Sequence, residues 1–186
     1  MRSTGRLFQI LILSAVGAVA VNAIQSNCRL QLSALPDIRE FKGLRIGMTV
    51  EEVQAIVPVI QVPRADEFGM ERTSFSPDFT TKIDKKAFES IRTVSLEFVD
   101  GRLASIWVGF NGAFKWQTID AVIDGLSNEL NLPAEWQSKS REQQLVCSDF
   151  RLGVSLVSNS PSVRITNDTA KQLWQSRREA KEESDP

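Results

Sequence analysis

The chain has 186 residues, of which 42% are hydrophobic and 24% charged, and its 22 basic and 23 acidic side chains leave a formal net charge of -1. Such a chain can bury a core as one globular domain, and it lacks the clustered basic excess of a nucleic-acid footprint. With no histidine and two cysteines, it excludes within itself Ser-His-Asp and Cys-His catalysis, His-ligated zinc or haem, and four-thiolate metal sites.

Residues 1–23 read as a secretory signal peptide. Arg2 and Arg6 supply the charged start, Leu7 to Val21 is mostly apolar, and Ala18-Val19-Ala20 and Val21-Asn22-Ala23 offer cleavage motifs of small residues, of which the reading takes the second. The apolar run is short for a membrane span of about 20 residues. Without the two leader arginines the balance becomes 20 basic against 23 acidic groups. The chain is therefore expected to be exported, to the periplasm or cell envelope. Cys28 follows Gln25-Ser26-Asn27, which lacks the small-residue context of lipid attachment. In an oxidising compartment the reading is a disulfide between Cys28 and Cys147, leaving neither sulfur as a nucleophile.

Arg29 to Ser33 and Gly43 to Ile46 are strand-like pieces broken at Pro36. Thr49 with Glu52 three residues on is a capping box, Met48 is placed to staple onto Val53, and Val50, Val53 and Val57 share helical spacing. A helix is predicted from Thr49 to Val57, stopped by Pro58. The irregular stretch from Val59 to Ile91 carries Phe68, Phe75, Phe79 and Phe88 among alternating charges, with a strand at Met70 to Ser76 and a helical turn at Asp84 to Glu89. Its phenylalanines either line a small-ligand site over the sheet or pin the loop to the core.

Arg92 to Phe110 is the clearest hairpin, because apolar Val94, Leu96 and Phe98 alternate with polar residues, as do Ala104, Ile106, Val108 and Phe110 with Leu103, Ser105 and Trp107. A two-residue turn at Asp100-Gly101 would set Leu96 against Ser105 and mix the faces. A three-residue loop shifts the pairing by one, so the reading is a bulged turn with Gly101 left-handed. That register leaves Trp107 on the opposite face, near Ser95 and Glu97, as a ligand contact or beneath another segment.

Thr118 opens a second helix with Ile119, Val122, Ile123, Leu126 and Leu130 as its apolar stripe, ending before Pro133. Trp136 follows in a polar loop to Glu142, and strands are expected at Gln144 to Phe150, Leu152 to Ser158 and Ser162 to Thr166. Asp168 caps a final helix bearing Ala170, Leu173, Trp174 and Arg177, and residues 178–186 read as a charged, fraying tail. Gly43 and Gly112 each lie six residues before the helix-capping threonine, and Val53 and Val122 each lie four after it. Residues 24–177 are thus expected to form a single α+β domain. It would have an antiparallel sheet with helices packed on one face, read as helix–three-strand halves at 43–110 and 112–167 plus a C-terminal helix.

The run Leu44-Arg-Ile-Gly-Met-Thr-Val-Glu-Glu-Val53, followed by the Thr93-Val-Ser-Leu-Glu-Phe98 hairpin with its Asp-Gly turn, resembles the exported SmpA/OmlA (BamE-like) envelope proteins. The helix-then-strands order is also similar to the tandem repeat of beta-lactamase inhibitor proteins. Across the mature chain, Lys115-Trp-Gln, Asn131-Leu-Pro and the charged last helix resemble an uncharacterised family of exported bacterial proteins. These likenesses imply a small envelope protein that binds another protein, and none of the family's contact residues maps onto a motif here.

No Gly-rich phosphate loop, Gly-x-Ser-x-Gly elbow or Ser-x-x-Lys pair occurs in the mature chain. The acids at Asp66, Glu67, Glu71, Asp78 and Asp84 lack calcium-loop spacing. The expectation is a non-enzymatic envelope module without cofactor or metal, whose partner is another envelope protein and not nucleic acid. Trp107, Ser95, Glu97, Phe68 and Phe75 are the candidate surface, and the alternative is a small-ligand protein using the 59–91 loop.

Overall fold

A computed structural model describes residues 28–34, 40–80 and 82–184. The leader expected over residues 1–23 and the break at Pro36 lie outside the described residues.

The first two strands, β1 (Glu40–Phe41) and β2 (Leu44–Arg45), form a small antiparallel pair. Helix α1 (Val50–Ile56) starts at the predicted capping box. Thr49 Oγ1 accepts from the Glu52 amide at 3.3 Å, and Glu52 Oε2 accepts from the Thr49 amide at 2.8 Å. Backbone bonds from Gly47 N to the Leu103 carbonyl and from Leu103 N to the Met48 carbonyl pin this helix start to the sheet. Val53 and Val57 are wholly buried there, each contributing roughly 1.5–3 kcal/mol of apolar burial.

The main sheet is antiparallel throughout. It comprises β3 (Met70–Phe75), β4 (Ile91–Val99), β5 (Arg102–Phe110), β6 (Gln137–Lys139), β7 (Glu142–Val146), β8 (Phe150–Val157) and β9 (Ser160–Asn167). Their spatial order is β3-β4-β5-β9-β8-β7-β6, so the two meanders join through the β5–β9 pair. Helix α2 (Ile119–Leu130) precedes the second meander, and α3 (Asp168–Ser184) follows it. The α+β class, the antiparallel sheet and the C-terminal helix agree with the sequence reading. The second half, however, has four strands rather than three.

The β4–β5 hairpin reaches the predicted facing by a different route. Asp100 and Gly101 form a two-residue turn with φ of 52° and 71°, and Phe98 pairs with Leu103. A bulge at Ala104 then shifts the register, so Glu97 meets Ser105, Leu96 meets Ile106 and Ser95 meets Trp107. The extra residue thus lies inside β5, not in the turn. The bulge lets the left-handed Asp-Gly turn coexist with matched apolar faces.

Other expectations are corrected. Arg29 to Ser33 is not a strand; Leu32–Ala34 is a 3-10 turn. This segment is tied to the β7–β8 turn instead. Leu32 N donates to Asp149 Oδ1 at 2.8 Å, and Ser148 N donates to the Leu30 carbonyl. The stretch read as a loop before Glu142 holds β6, a fully exposed edge strand of Gln, Ser and Lys with no apolar residue to reveal it. The β8–β9 turn is at Ser158-Asn159, both left-handed, and β9 begins before Pro161. Pro161 is tolerated because β5 pairs with β9 only from Ser162 onward. Helix α3 continues through Ser184 rather than fraying from Arg178, because acids distant in sequence pair with its last turns.

The main core gathers Val53 and Val57 from α1 with Leu96, Phe98, Ile106, Phe150 and Leu152 from the sheet, and Leu126 and Leu130 of α2 pack against it. Internal helices α1 and α2 therefore share one face, as expected. Helix α3 lies on the other, where Ala170 and Trp174 pack on Met70, Val99 and Ala104.

Candidate functional site

On the α3 side of the sheet the outward residues form cross-strand rows. One row runs Arg151, Thr166, Ser105, Glu97 and Arg72; the next runs Gln144, Gly153, Arg164, Trp107, Ser95 and Ser74. Helix α3 is fastened along the first row and the adjoining turn. Arg151 pairs with Asp168, Lys171 with Glu97 at 3.0 Å, and Arg177 with Asp100 through two bonds of 2.8 and 2.9 Å. Trp174 donates its indole N–H to Asp66 and lies beneath Arg72, Lys171 and Arg178 at 4.9–5.5 Å.

Trp107 stands one row beyond this clamp and is half-buried. Its six-membered ring lies over Gly109, where a Cβ would stand 2.7 Å from Trp107 Cη2. The missing side chain at 109 thus provides the seat for the indole. Arg164, which pairs in register with Trp107, is exposed. Ser95 is the register partner on the other side, so the predicted grouping of Trp107 and Ser95 exists.

Glu97 belongs to the clamp instead. It binds Arg72 at 3.2 Å as well as Lys171. Burial pushes its carboxyl up, but the bonds and charge of Lys171, the Arg72 bond and the charge of Arg164 outweigh that and hold it below the usual glutamate value. Phe68 lies under Lys181 at the end of α3, and its carbonyl accepts from Arg177. Phe75 faces the core, edge-on to Phe88 at 5.8 Å, so it cannot join the Trp107 surface. Phe79 is 89% exposed. Phe68, Phe75 and Phe79 therefore do not enclose a pocket.

Cys28 and Cys147 form the expected disulfide, with both residues buried. Among the described residues no three of His, Cys, Asp and Glu converge as a metal set.

The other face holds a feature not predicted from the sequence. Between α2 and the sheet lies a cavity of about 280 Å³, lined by Ile106, Val108, Leu126, Leu130, Val163 and Ile165. Aromatic residues stand at its side. Phe110 and Phe114 stack at 3.6 Å, and Trp116 meets Phe114 edge-on at 5.6 Å. Lys42, Lys115 and Glu129 border it, and Lys115 pairs with Glu129. The only hint in the sequence is the close spacing of Phe110, Phe114 and Trp116.

No family model, curated protein or solved structure matches this chain. The resemblance to BamE-like proteins rests on the helix-start and hairpin residues alone. The geometry itself offers two candidate surfaces on opposite faces of one sheet: an open polar face centred on Trp107, and an apolar cavity under α2.

Proposed function

We propose that this chain is an exported, non-enzymatic protein-binding module of the bacterial cell envelope, and that it engages another envelope protein through the sheet face around Trp107. One observation carries the reading. Trp107 is seated over Gly109 and half-buried, with exposed Arg164 beside it, on the row of the sheet next to the α3 clamp. Tryptophan and arginine are among the side chains that most often dominate binding energy, tryptophan because it offers large contact area at little conformational cost and arginine because its planar guanidinium presents five donors in a fixed fork. A β-sheet backbone supplies the rigidity that keeps such anchors organised before contact. The signal-like leader and paired cysteines support export, and the lack of histidine removes Ser-His-Asp and Cys-His catalysis.

The test is capture from envelope extract with the oxidised wild type, Trp107→Ala and Arg164→Glu, followed by affinity measurement on the purified partner. Wild type is expected to retain one partner that both variants lose, with Trp107→Ala weakening binding by about 2 kcal/mol, or about 30-fold. A partner that binds all three equally would rule out this surface. The small-ligand reading of the 59–91 loop has weaker support, because Phe68 lies under Lys181 and Phe88 is buried in the core, while Phe75 and Phe79 line an open groove with Val59 and Ile60.

A further inference from the structure

We propose that the cavity beneath α2 is a binding site for a small amphipathic carboxylate. Its apolar body would lie among Ile106, Val108, Leu126 and Val163, and its carboxylate would meet Lys42 at the rim.

Size sets the first limit. An apolar cavity of about 150 Å³ takes up benzene, so this one, near 280 Å³, suits roughly ten to a dozen non-hydrogen atoms. The lining sets the second. The walls are aliphatic side chains of β5, β9 and α2, with Phe110, Phe114 and Trp116 at the side, so the enclosed part of the ligand has to be apolar. Val163 shows that the space is reached from outside. It stands between buried Val108 and Val154 in the core-facing row, yet it is only half-buried. The stripe of α2 tells the same story, since Val122 alone is fully buried while Leu126 and Leu130 keep part of their surface open.

The rim sets the charge. Lys115 is neutralised by Glu129 and stands 4.0 Å from the Trp116 ring centre. Lys42 borders the same cavity, is exposed, and makes no ion pair among the described residues. Among the described residues the rim therefore carries one positive charge without an ion-pair partner next to an apolar chamber, which fits a monoanion with a short apolar body. This site lies on the opposite face from Trp107, so it stands or falls independently of the protein-binding surface.

Decanoate, 1-decanol and decyltrimethylammonium share a chain length and differ in head charge. Titration of the full oxidised chain, followed by calorimetry and tryptophan fluorescence, is expected to show saturable 1:1 binding of decanoate, weaker binding of decanol and none of the cation. Lys42→Glu, an exposed change that leaves the core alone, should weaken decanoate about tenfold and leave decanol unchanged. Val163→Phe should fill the chamber and abolish both, with thermal unfolding reporting whether the fold survives. The proposal is overturned if no ligand saturates, if decanol or the cation matches decanoate, or if Lys42→Glu leaves decanoate binding intact.

Discussion

Glu97 and Glu71 sit on neighbouring strands, yet the fold treats them in opposite ways. Glu97 is depressed below the ordinary 4.5 because the Lys171 and Arg72 bonds and the Arg164 charge overcome its burial. A depressed carboxyl contributes stability that is present above its unfolded value and lost as pH falls through its lower folded value. Glu71 is raised, by burial first and then by the charges of Asp100 and Glu51, against one bond from the Gly101 amide. Its Oε2 is buried without a partner. Its cost is absent below 4.5 and complete once pH has risen past its higher folded value. Glu97→Gln should therefore destabilise at pH 7 by roughly 1–2 kcal/mol and flatten the loss of stability on the acid side. Glu71→Gln should stabilise at pH 7 and leave pH 4 nearly unchanged. Urea unfolding at both pH values checks the pair, and equal effects at the two would contradict it. Gly125 makes a further case. Alanine normally gains about 1 kcal/mol over glycine inside a helix. Here a Cβ would stand 2.0 Å from Trp116 Cζ2, so Gly125→Ala should instead lose about 1–3 kcal/mol and shift tryptophan emission.

Helix α3 shows how an element can be well formed and lightly held. No residue along its 17 positions is fully buried, and the clamp consists of ion pairs, Trp174 and the small contact of Ala170 and Trp174 with Met70, Val99 and Ala104. Charge pairs at a surface weaken with salt, since the screening length falls from about 10 Å at 0.1 M to about 3 Å at 1 M. Amide exchange in α3 should therefore be faster than in the central strands β5 and β9, and should accelerate further at 1 M salt while those strands do not respond. Salt-independent exchange of α3 would mean that Trp174 and Ala170 hold it without help. This helix also marks the limit of what its sequence reveals. The starts of α1 and α2 are legible because Thr49 and Thr118 bond within three residues of themselves. Alternation likewise exposes β4 and β5, and with them the Trp107–Ser95 pairing. The face that α3 covers depends on Glu97, Asp100 and Glu67, which lie 74, 77 and 114 residues from their partners. Strand β6 has no apolar residue to alternate, and the cavity depends on how far α2 stands from the sheet, a distance that no local pattern encodes.

At the scale of the whole molecule, the two meanders are joined edge to edge at β5 and β9, and the described N-terminal residues are held to the second meander. The disulfide links Cys28 to Cys147 across 119 residues, with the Leu30 and Leu32 bonds to the β7–β8 turn beside it. Closing so long a loop removes much of the unfolded chain's freedom, about 5 kcal/mol in the chain-entropy model and commonly 2–5 kcal/mol when a native bridge is lost. Both cysteines are buried at 3% and 4% exposure, so a reductant meets them mainly after local opening. Reduction under native conditions should thus be slow, and should accelerate in mild denaturant once the 28–34 segment lifts from the turn. The Cys28→Ser, Cys147→Ser double variant should keep the sheet while losing about 2–5 kcal/mol, because α1, the β4–β5 hairpin and the β8–β9 hairpin do not depend on the bridge. Circular dichroism and denaturant unfolding measure the two halves of this expectation. A double variant as stable as the wild type would place the N-terminal segment outside the cooperative unit. One that fails to fold would mean that the joined meanders cannot stand without the bridge.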